Sequence, residues 1–251
     1  MPDTSDDIFG RTLPLAGPDM MSRLRSCHIL VAGVGGVGSW AVEALVRSGA
    51  GHITIVDNDV VGATNINRQL PATTLTIGQP KVDVMARRML EINPGLDITP
   101  LCDVYTPENA AAYDLDKYDY VIDAIDSLRC KAALIANACR SRATLFSSMG
   151  AARKLHASAI ATAEFRHVQG CPLARALRQY FKRHDSMPRR KFLCVYSPEI
   201  IPHRCDPAAT AGTDAWSHTR PSVNGTFAHT TAIFGFTLAG LIIEDLYNKT
   251  K

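Results

Sequence analysis

Although the chain has seven cysteines, at positions 27, 102, 130, 139, 171, 194 and 205, no two of them form a C-x-x-C pair. An odd number scattered through apolar stretches argues against a paired-cysteine zinc site or a disulfide framework, so a reducing, cytoplasmic setting is expected. The start, Met1-Pro2-Asp3, is acidic and lacks the basic, then apolar, opening of a signal peptide. The longest apolar segment, Ala232 to Ile243, falls well short of the ~20 residues that cross a bilayer, and no membrane association is expected. There is no internal repeat, no low-complexity tract and no large charge excess. A net charge of +3 leaves nucleic-acid binding to local clustering of Lys and Arg. What remains is 251 residues, 46% hydrophobic and 20% charged, the composition of an ordinary globular protein forming one domain over residues 1–251.

The pattern along the chain is that of alternating strands and helices. Cys27 to Ala32 is a short β-branched run ending at a glycine cluster, Ser39 to Ser48 has helical spacing, and His52 to Val56 reads as a second buried strand, giving a βαβ unit. Lys81 to Asn93 sets Val82, Met85, Met89 and Ile92 on one face and stops at Pro94-Gly95. Strands follow near Ile98–Val104, Tyr118–Ala124 and Thr144–Ser147, with a short helix after Pro107 and a longer one over Leu128–Arg140. This alternation predicts an α/β fold, a Rossmann-like doubly wound sheet. Past Gly150 the rhythm loosens. A strand over Ala159–Phe165, a basic helix over Pro172–Lys182, a strand over Phe192–Ser197 and a final buried helix over Thr230–Tyr247 are expected, with Asp206 to Pro221 as a mobile loop. Residues 1–150 therefore read as a nucleotide-binding half and 151–251 as a C-terminal half on the substrate side.

Gly33-Val34-Gly35-Gly36-Val37-Gly38 is a G-x-G-x-x-G between a strand and a helix, where Gly33, Gly35, Gly36 and Gly38 let the backbone approach phosphates. The motif alone does not choose between NAD and ATP. Asp57 closes the second strand, where a carboxylate can bind ribose hydroxyls in either case. The following segment favours ATP: Asp57-Asn58-Asp59, then Asn65-Ile66-Asn67-Arg68-Gln69, then Gly78-Gln79-Pro80-Lys81 at a helix start. Cleaving a triphosphate calls for cations and a carboxylate to hold magnesium, and Arg68, Lys81 and Asp126 are of those types. Singly, each has a plainer explanation: Arg68 as a surface ion pair, Lys81 as an exposed first-turn residue, Asp126 as a helix N-cap.

Taken together, D-N-D-x-V, N-I-N-R-Q, G-Q-P-K and D-A-I-D-S, in that order, resemble the adenylating domain of the ubiquitin-activating-enzyme-like superfamily that includes the bacterial ThiF and MoeB proteins. The resemblance runs from about Phe9 onward. Phe9-Gly10-Arg11-Thr12, Val121 to Ser127, Lys131 to Ile135, Cys171-Pro172-Leu173-Ala174-Arg175 and Val195-Tyr196-Ser197 are similar to its tRNA threonylcarbamoyladenosine dehydratase branch (TcdA or CsdL). The resemblance implies ATP and magnesium, tRNA as substrate and a homodimer, and it admits a cysteine desulfurase or sulfur acceptor as a protein partner. It further implies that the glycines lie under the nucleotide and that Asp57 takes the ribose. Asn65, Arg68 and Lys81 would face the phosphates, Asp126 would hold magnesium, Asp59, Gln69 and Ser127 would also bind the nucleotide, and Arg11 would reach the ATP of the other subunit.

Three departures stand against the family pattern. Ile8 stands where many relatives have Arg, His156-Ala157 where they often have Asp-Pro, and Ser222-Val223-Asn224-Gly225 lacks the cysteine some carry. No catalytic cysteine is therefore assigned, and Cys171 and Cys194 read as buried small residues. Arg175, Arg178, Lys182, Arg183, Arg189, Arg190 and Lys191 form a basic stretch that could follow an RNA backbone or be a solvated face. Adenylation of a ubiquitin-like sulfur-carrier protein, an NAD-dependent oxidoreductase and a non-catalytic scaffold stay open as alternatives.

Overall fold

A computed structural model describes residues 8–205 and 224–250; the expected loop over 206–221, together with Ser222 and Val223, lies outside the described residues. One seven-stranded sheet organises them, in the order β3-β2-β1-β4-β5-β7-β6. The strands are β1 (His28–Ala32), β2 (His52–Val56), β3 (Asp97–Leu101), β4 (Tyr120–Asp123), β5 (Thr144–Ser148), β6 (Ala161–Glu164) and β7 (Leu193–Tyr196). All neighbouring pairs are parallel except β6 with β7, so β6 is an antiparallel edge.

The helices are α1 (Leu13–Ser26), α2 (Gly38–Ser48), α3 (Lys81–Ile92), α4 (Leu128–Ala138), α5 (Pro172–Arg183) and α6 (Ala228–Lys249). Both faces of the sheet are covered, and alternation along the strands assigns the faces. Ile29, Val31, Ile53, Ile55 and Ile122 point into one core with residues of α2, α3 and α6, while Leu30, Ala32, Val56, Val121 and Leu145 point into a second core with residues of α4 and α5. A strand buried on both faces shows no polar alternation, which is why β1 reads as a continuous apolar run. The doubly wound expectation is met.

Some boundaries differ from the sequence reading, for local reasons. The strand expected to reach Val104 ends at Leu101, and it tolerates Pro100 because β3 is a sheet edge, where a missing N–H costs no ladder bond. The helix expected after Pro107 is only a 3₁₀ turn, Ala110–Tyr113. Helix α1 was not foreseen. Pro14, Gly17 and Pro18 break its periodicity, and Gly17 is in fact non-helical (φ 75°, ψ 163°), so α1 is two short helical pieces joined at a kink.

The expectation that no segment is apolar enough to cross a bilayer needs correction. Among the described residues α6 passes by length and composition, with half of its most apolar window buried inside the fold. Its apolar character is explained by packing: Phe234, Leu238 and Ile242 are fully buried in the α2–α3 core. A Cβ on Gly235 would sit 2.5 Å from the Val37 carbonyl oxygen and 2.7 Å from Trp40 Cβ, so α6 lies directly on the first turn of α2.

Candidate nucleotide site at the carboxyl edge of the sheet

The chain leaves β1 toward β2 on one side while β4 enters on the other, so the gap between the carboxyl ends of β1 and β4 is the topological switch point where open α/β sheets bind ligands. Gly33 to Gly38 fills one lip of that gap. Gly33 has φ 89°, and a Cβ there would come 2.8 Å from the Ala124 carbonyl oxygen after β4; one on Gly38 would overlap the Gly33 carbonyl. Those two glycines are demanded by the loop's own closure. Gly35 is different, since its nearest neighbour would be Gln69 Nε2 at 3.7 Å, which leaves its backbone open for a ligand to approach.

The β2 end adds charge. Asp57 accepts hydrogen bonds from the Val34 amide (2.9 Å, Oδ2) and the Asp59 amide (2.9 Å, Oδ1), which ties the glycine loop to β2. Each carboxylate oxygen keeps a further lone pair for a hydroxyl donor. Burial pushes the Asp57 carboxyl above the ordinary carboxylate range, while Lys81 and the two amides pull it back. Lys81 Nζ lies 2.7 Å from Asp59 Oδ2, with its side chain 4% exposed and that of Asp59 58% exposed. Its plainer identity as an exposed first-turn lysine is therefore wrong. The ammonium is held at the start of α3 by a carboxylate that itself faces water.

Asn65 accepts the Gly62 amide at 3.0 Å and so shapes the 3₁₀ turn that presents Arg68 and Gln69. Arg68 donates from Nη1 to the Thr64 carbonyl (2.9 Å) and to Asn67 Oδ1 (2.8 Å), and its carbonyl accepts from Trp40 Nε1 (3.1 Å) and Thr231 Oγ1 (3.3 Å). Gln69 is buried beside Gly35, and its Oε1 has no hydrogen-bond partner among the described residues. A buried acceptor left unmet is costly to the fold.

Asp126 and Ser127 are exposed on the loop after β4, which the Ala124–Gly33 approach sets against the glycine loop. Asp126 is not the helix N-cap considered for it; Ser127 holds that position, without a side-chain cap bond. Among the described residues no group of three His, Cys, Asp or Glu could hold a metal alone. A magnesium ion shared with phosphates takes only one or two carboxylates and keeps several waters, and the exposed carboxylate of Asp126 is of that donor type.

Beneath this loop lies a pair the sequence reading gave no role. Asp123 and Lys131 are both fully buried and 2.8 Å apart; Ser147 Oγ donates to Asp123 at 2.6 Å, the Ile125 amide to Asp123 at 3.2 Å, and Lys131 Nζ to the Ile125 carbonyl at 3.1 Å. Burial pushes the Asp123 carboxyl up, and Lys131, Ser147 and the Ile125 amide pull it back. The only sequence signal was an aspartate closing an apolar strand eight residues before a lysine on an otherwise apolar helix face. The far wall is joined by similar means. Lys154 is buried and donates to the Glu199 carbonyl, its own carbonyl accepts from Thr230 Oγ1 (3.4 Å), and Asn67 Nδ2 donates to the Thr226 carbonyl (3.1 Å).

Arg11 is not brought to this site within the chain. It follows buried Phe9, whose ring would lie 3.6 Å from a Cβ on Gly49 at the far end of α2, a helix of 11 residues. That length is roughly 16 Å at 1.5 Å per residue, so Arg11 stands near the opposite edge of the sheet from the glycine loop. Cys171 and Cys194 are buried, as expected. Burial pushes the thiols of Cys27 and Cys139 up to about 12 and about 11, and that of Cys194 up as well, which leaves these three uncharged and poor nucleophiles.

The ThiF family profile matches residues 9–250. The tRNA threonylcarbamoyladenosine dehydratase of Haemophilus influenzae is 39% identical over 98% of this chain and 96% of its own length. The Bacillus subtilis protein of the same name is 35% identical over 95% and 94%. The crystal structure of Escherichia coli tRNA N6-threonylcarbamoyladenosine dehydratase, TcdA, in complex with ATP superposes with a TM-score of 0.86 at 35% identity, covering 99% of this chain and 97% of that one.

Proposed function

The chain belongs to the ThiF family, and from that premise we propose that it is an ATP-dependent enzyme that dehydrates and cyclises threonylcarbamoyladenosine in tRNA. The observation that carries this reading is the end-to-end match to a dehydratase of known structure with ATP bound. The carboxylate of the threonyl group attacks the α-phosphate of ATP, forming an acyl-adenylate and releasing pyrophosphate. The neighbouring carbamoyl group then attacks the activated carbonyl, expels AMP and closes a ring, so the nucleoside has lost one water. The second step is intramolecular and needs little more than a held geometry.

The roles of this chain's residues follow from where they stand. Gly33, Gly35, Gly36 and Gly38 form the floor, with Gly35 the open approach. Asp57 takes ribose hydroxyls, and Asp59 holds Lys81. Lys81 and Arg68 carry the charge of the phosphates and of the leaving pyrophosphate, with Asn65 shaping the turn that presents Arg68. Gln69 stands beside Gly35 at the nucleotide site. Asp126, flanked by Ser127, would hold magnesium, which supplies charge neutralisation at the phosphates when bound. The C-terminal half is the tRNA side, and the setting is the cytoplasm.

Purified protein should release pyrophosphate from ATP only when given tRNA carrying threonylcarbamoyladenosine, and nucleoside mass spectrometry should show the cyclic product. ATP turnover indifferent to that modification would overturn the reading. Release that depends instead on a sulfur-carrier protein would install the second one, which half-length similarity to a Thermus thermophilus sulfur carrier protein adenylyltransferase keeps in view.

The position of Arg11 supports a homodimer in which it serves the partner's ATP, because it is remote from its own. Mixing inactive Arg11→Ala and Lys81→Met proteins in equal amounts should then restore about a quarter of wild-type activity, since half of the dimers formed carry one complete site. No recovery after subunit exchange would place Arg11 outside the chemistry. No sulfur-transfer role is supported for the three cysteines whose thiols burial holds uncharged.

A further inference from the structure

The basic stretch after Gly150 is not one surface. Arg178 turns inward, donating to the Phe165 carbonyl at 3.2 Å with its guanidinium 5.9 Å from the Phe165 ring centre. Arg190 donates to the carbonyls of Ser141 (2.8 Å), Ala138 and Ala143, finishing the end of α4. Both are occupied in holding the fold. Helix α5 buries Ala174, Leu177 and Phe181, so that Arg175, Lys182 and Arg183 are turned outward, with Arg189 and Lys191 exposed just beyond. Arg175 and Lys182 are seven residues apart, hence on one stripe and about 10 Å from each other along the helix.

Two further observations separate this face from an ordinary solvated one. Elsewhere Arg47, Arg88, Lys117, Arg129, Arg142 and Lys249 each face a carboxylate, and exposed cations without one among the described residues, such as Arg23 and Arg140, are not gathered into such a run. None of the five outward cations here has such a partner among the described residues, and α5 contains no acidic residue. The helix also begins at the site: Leu173 and Cys171 would lie 3.8 and 3.9 Å from a Cβ on Gly150, two residues past β5. The uncompensated charge therefore starts at the wall of the candidate site and leads away from it.

We propose that the outward face of α5, Arg175, Lys182 and Arg183 continued by Arg189 and Lys191, is a docking track for the sugar-phosphate backbone of tRNA, placing the modified adenosine over the glycine loop. This rests on the dehydratase reading for the identity of the RNA, while the track itself can be tested by binding alone. Unpaired cations at a regular spacing suit a polyanion, and each phosphate they neutralise adds to the salt dependence of binding.

The test is the triple variant Arg175→Gln, Lys182→Gln, Arg183→Gln, whose positions are solvent-facing and should leave the fold intact. The affinity of wild type and variant for total bacterial tRNA is measured across a salt series, and the KM values for tRNA and ATP are measured in the pyrophosphate assay. The expected results are a slope of log affinity against log salt that is shallower by about two to three, a tRNA KM raised at least tenfold and an unchanged ATP KM. An unchanged slope and affinity would overturn the track. So would a variant that keeps tRNA binding but loses binding to polyglutamate, which would make the face a dock for an acidic protein. Failure of the dehydratase reading is seen separately, as wild-type protein whose pyrophosphate release ignores the modified nucleoside.

Discussion

Lys81→Met is expected to lower the rate of tRNA-dependent pyrophosphate release by about 10²–10³-fold, the usual cost of removing one preorganised group that stabilises developing charge. The loss should come with little change in stability. The lysine side chain is buried, and methionine keeps most of its stem volume, while the carboxylate left behind on Asp59 is more than half exposed and can be hydrated. Urea unfolding of the variant alongside its kinetics distinguishes the two effects. A variant that loses activity only in proportion to its loss of folded protein would mean that Lys81 is a packing residue. Lys81→Arg should not restore full activity, because a planar fork does not replace a compact ammonium in a site this enclosed.

The second large effect is on stability. Lys131→Met should destabilise the fold by about 3–5 kcal/mol, because it strands the Asp123 carboxylate in a fully buried place. Adding Asp123→Asn removes that charge while keeping an acceptor for Ser147 Oγ, and the double variant should recover at least about half of the loss. Equilibrium unfolding of the three proteins measures this directly. A double variant no more stable than the single one would assign the cost to the lost Lys131–Ile125 carbonyl bond instead. Since that bond and the Ile125 amide both shape the loop before Asp126, the double variant should also bind ATP more weakly than wild type even where it is equally folded.

How much of this was legible beforehand depended on range. The glycine loop, β2 with Asp57 at its end and the amphipathic α3 are local patterns, and a period of two or 3.6 residues with turn chemistry between was enough to find them. Lys81 could be located but not its burial, because the carboxylate that holds it is 22 residues away. The Asp123–Lys131 pair spans a strand, a loop and a helix, and no short-range rule links them. In the basic stretch the sequence could not separate Arg190, which closes the end of α4 some fifty residues earlier, from Arg175, which faces outward. Arg11 could be singled out from the sequence, yet only the packing of Phe9 against the far end of α2 reveals that it is remote from its own glycine loop.

Helix α6 carries a consequence for synthesis. Thr231 on its first turn bonds the carbonyl of Arg68, Thr230 bonds that of Lys154, and Gly235 lies against the start of α2. The glycine loop precedes by nearly two hundred residues the helix that fixes its surroundings. A nascent chain still on the ribosome therefore displays a half-built nucleotide pocket and an uncovered apolar sheet face until residues 228–249 have cleared the exit tunnel. The interval before α6 docks is when the chain is most exposed to aggregation.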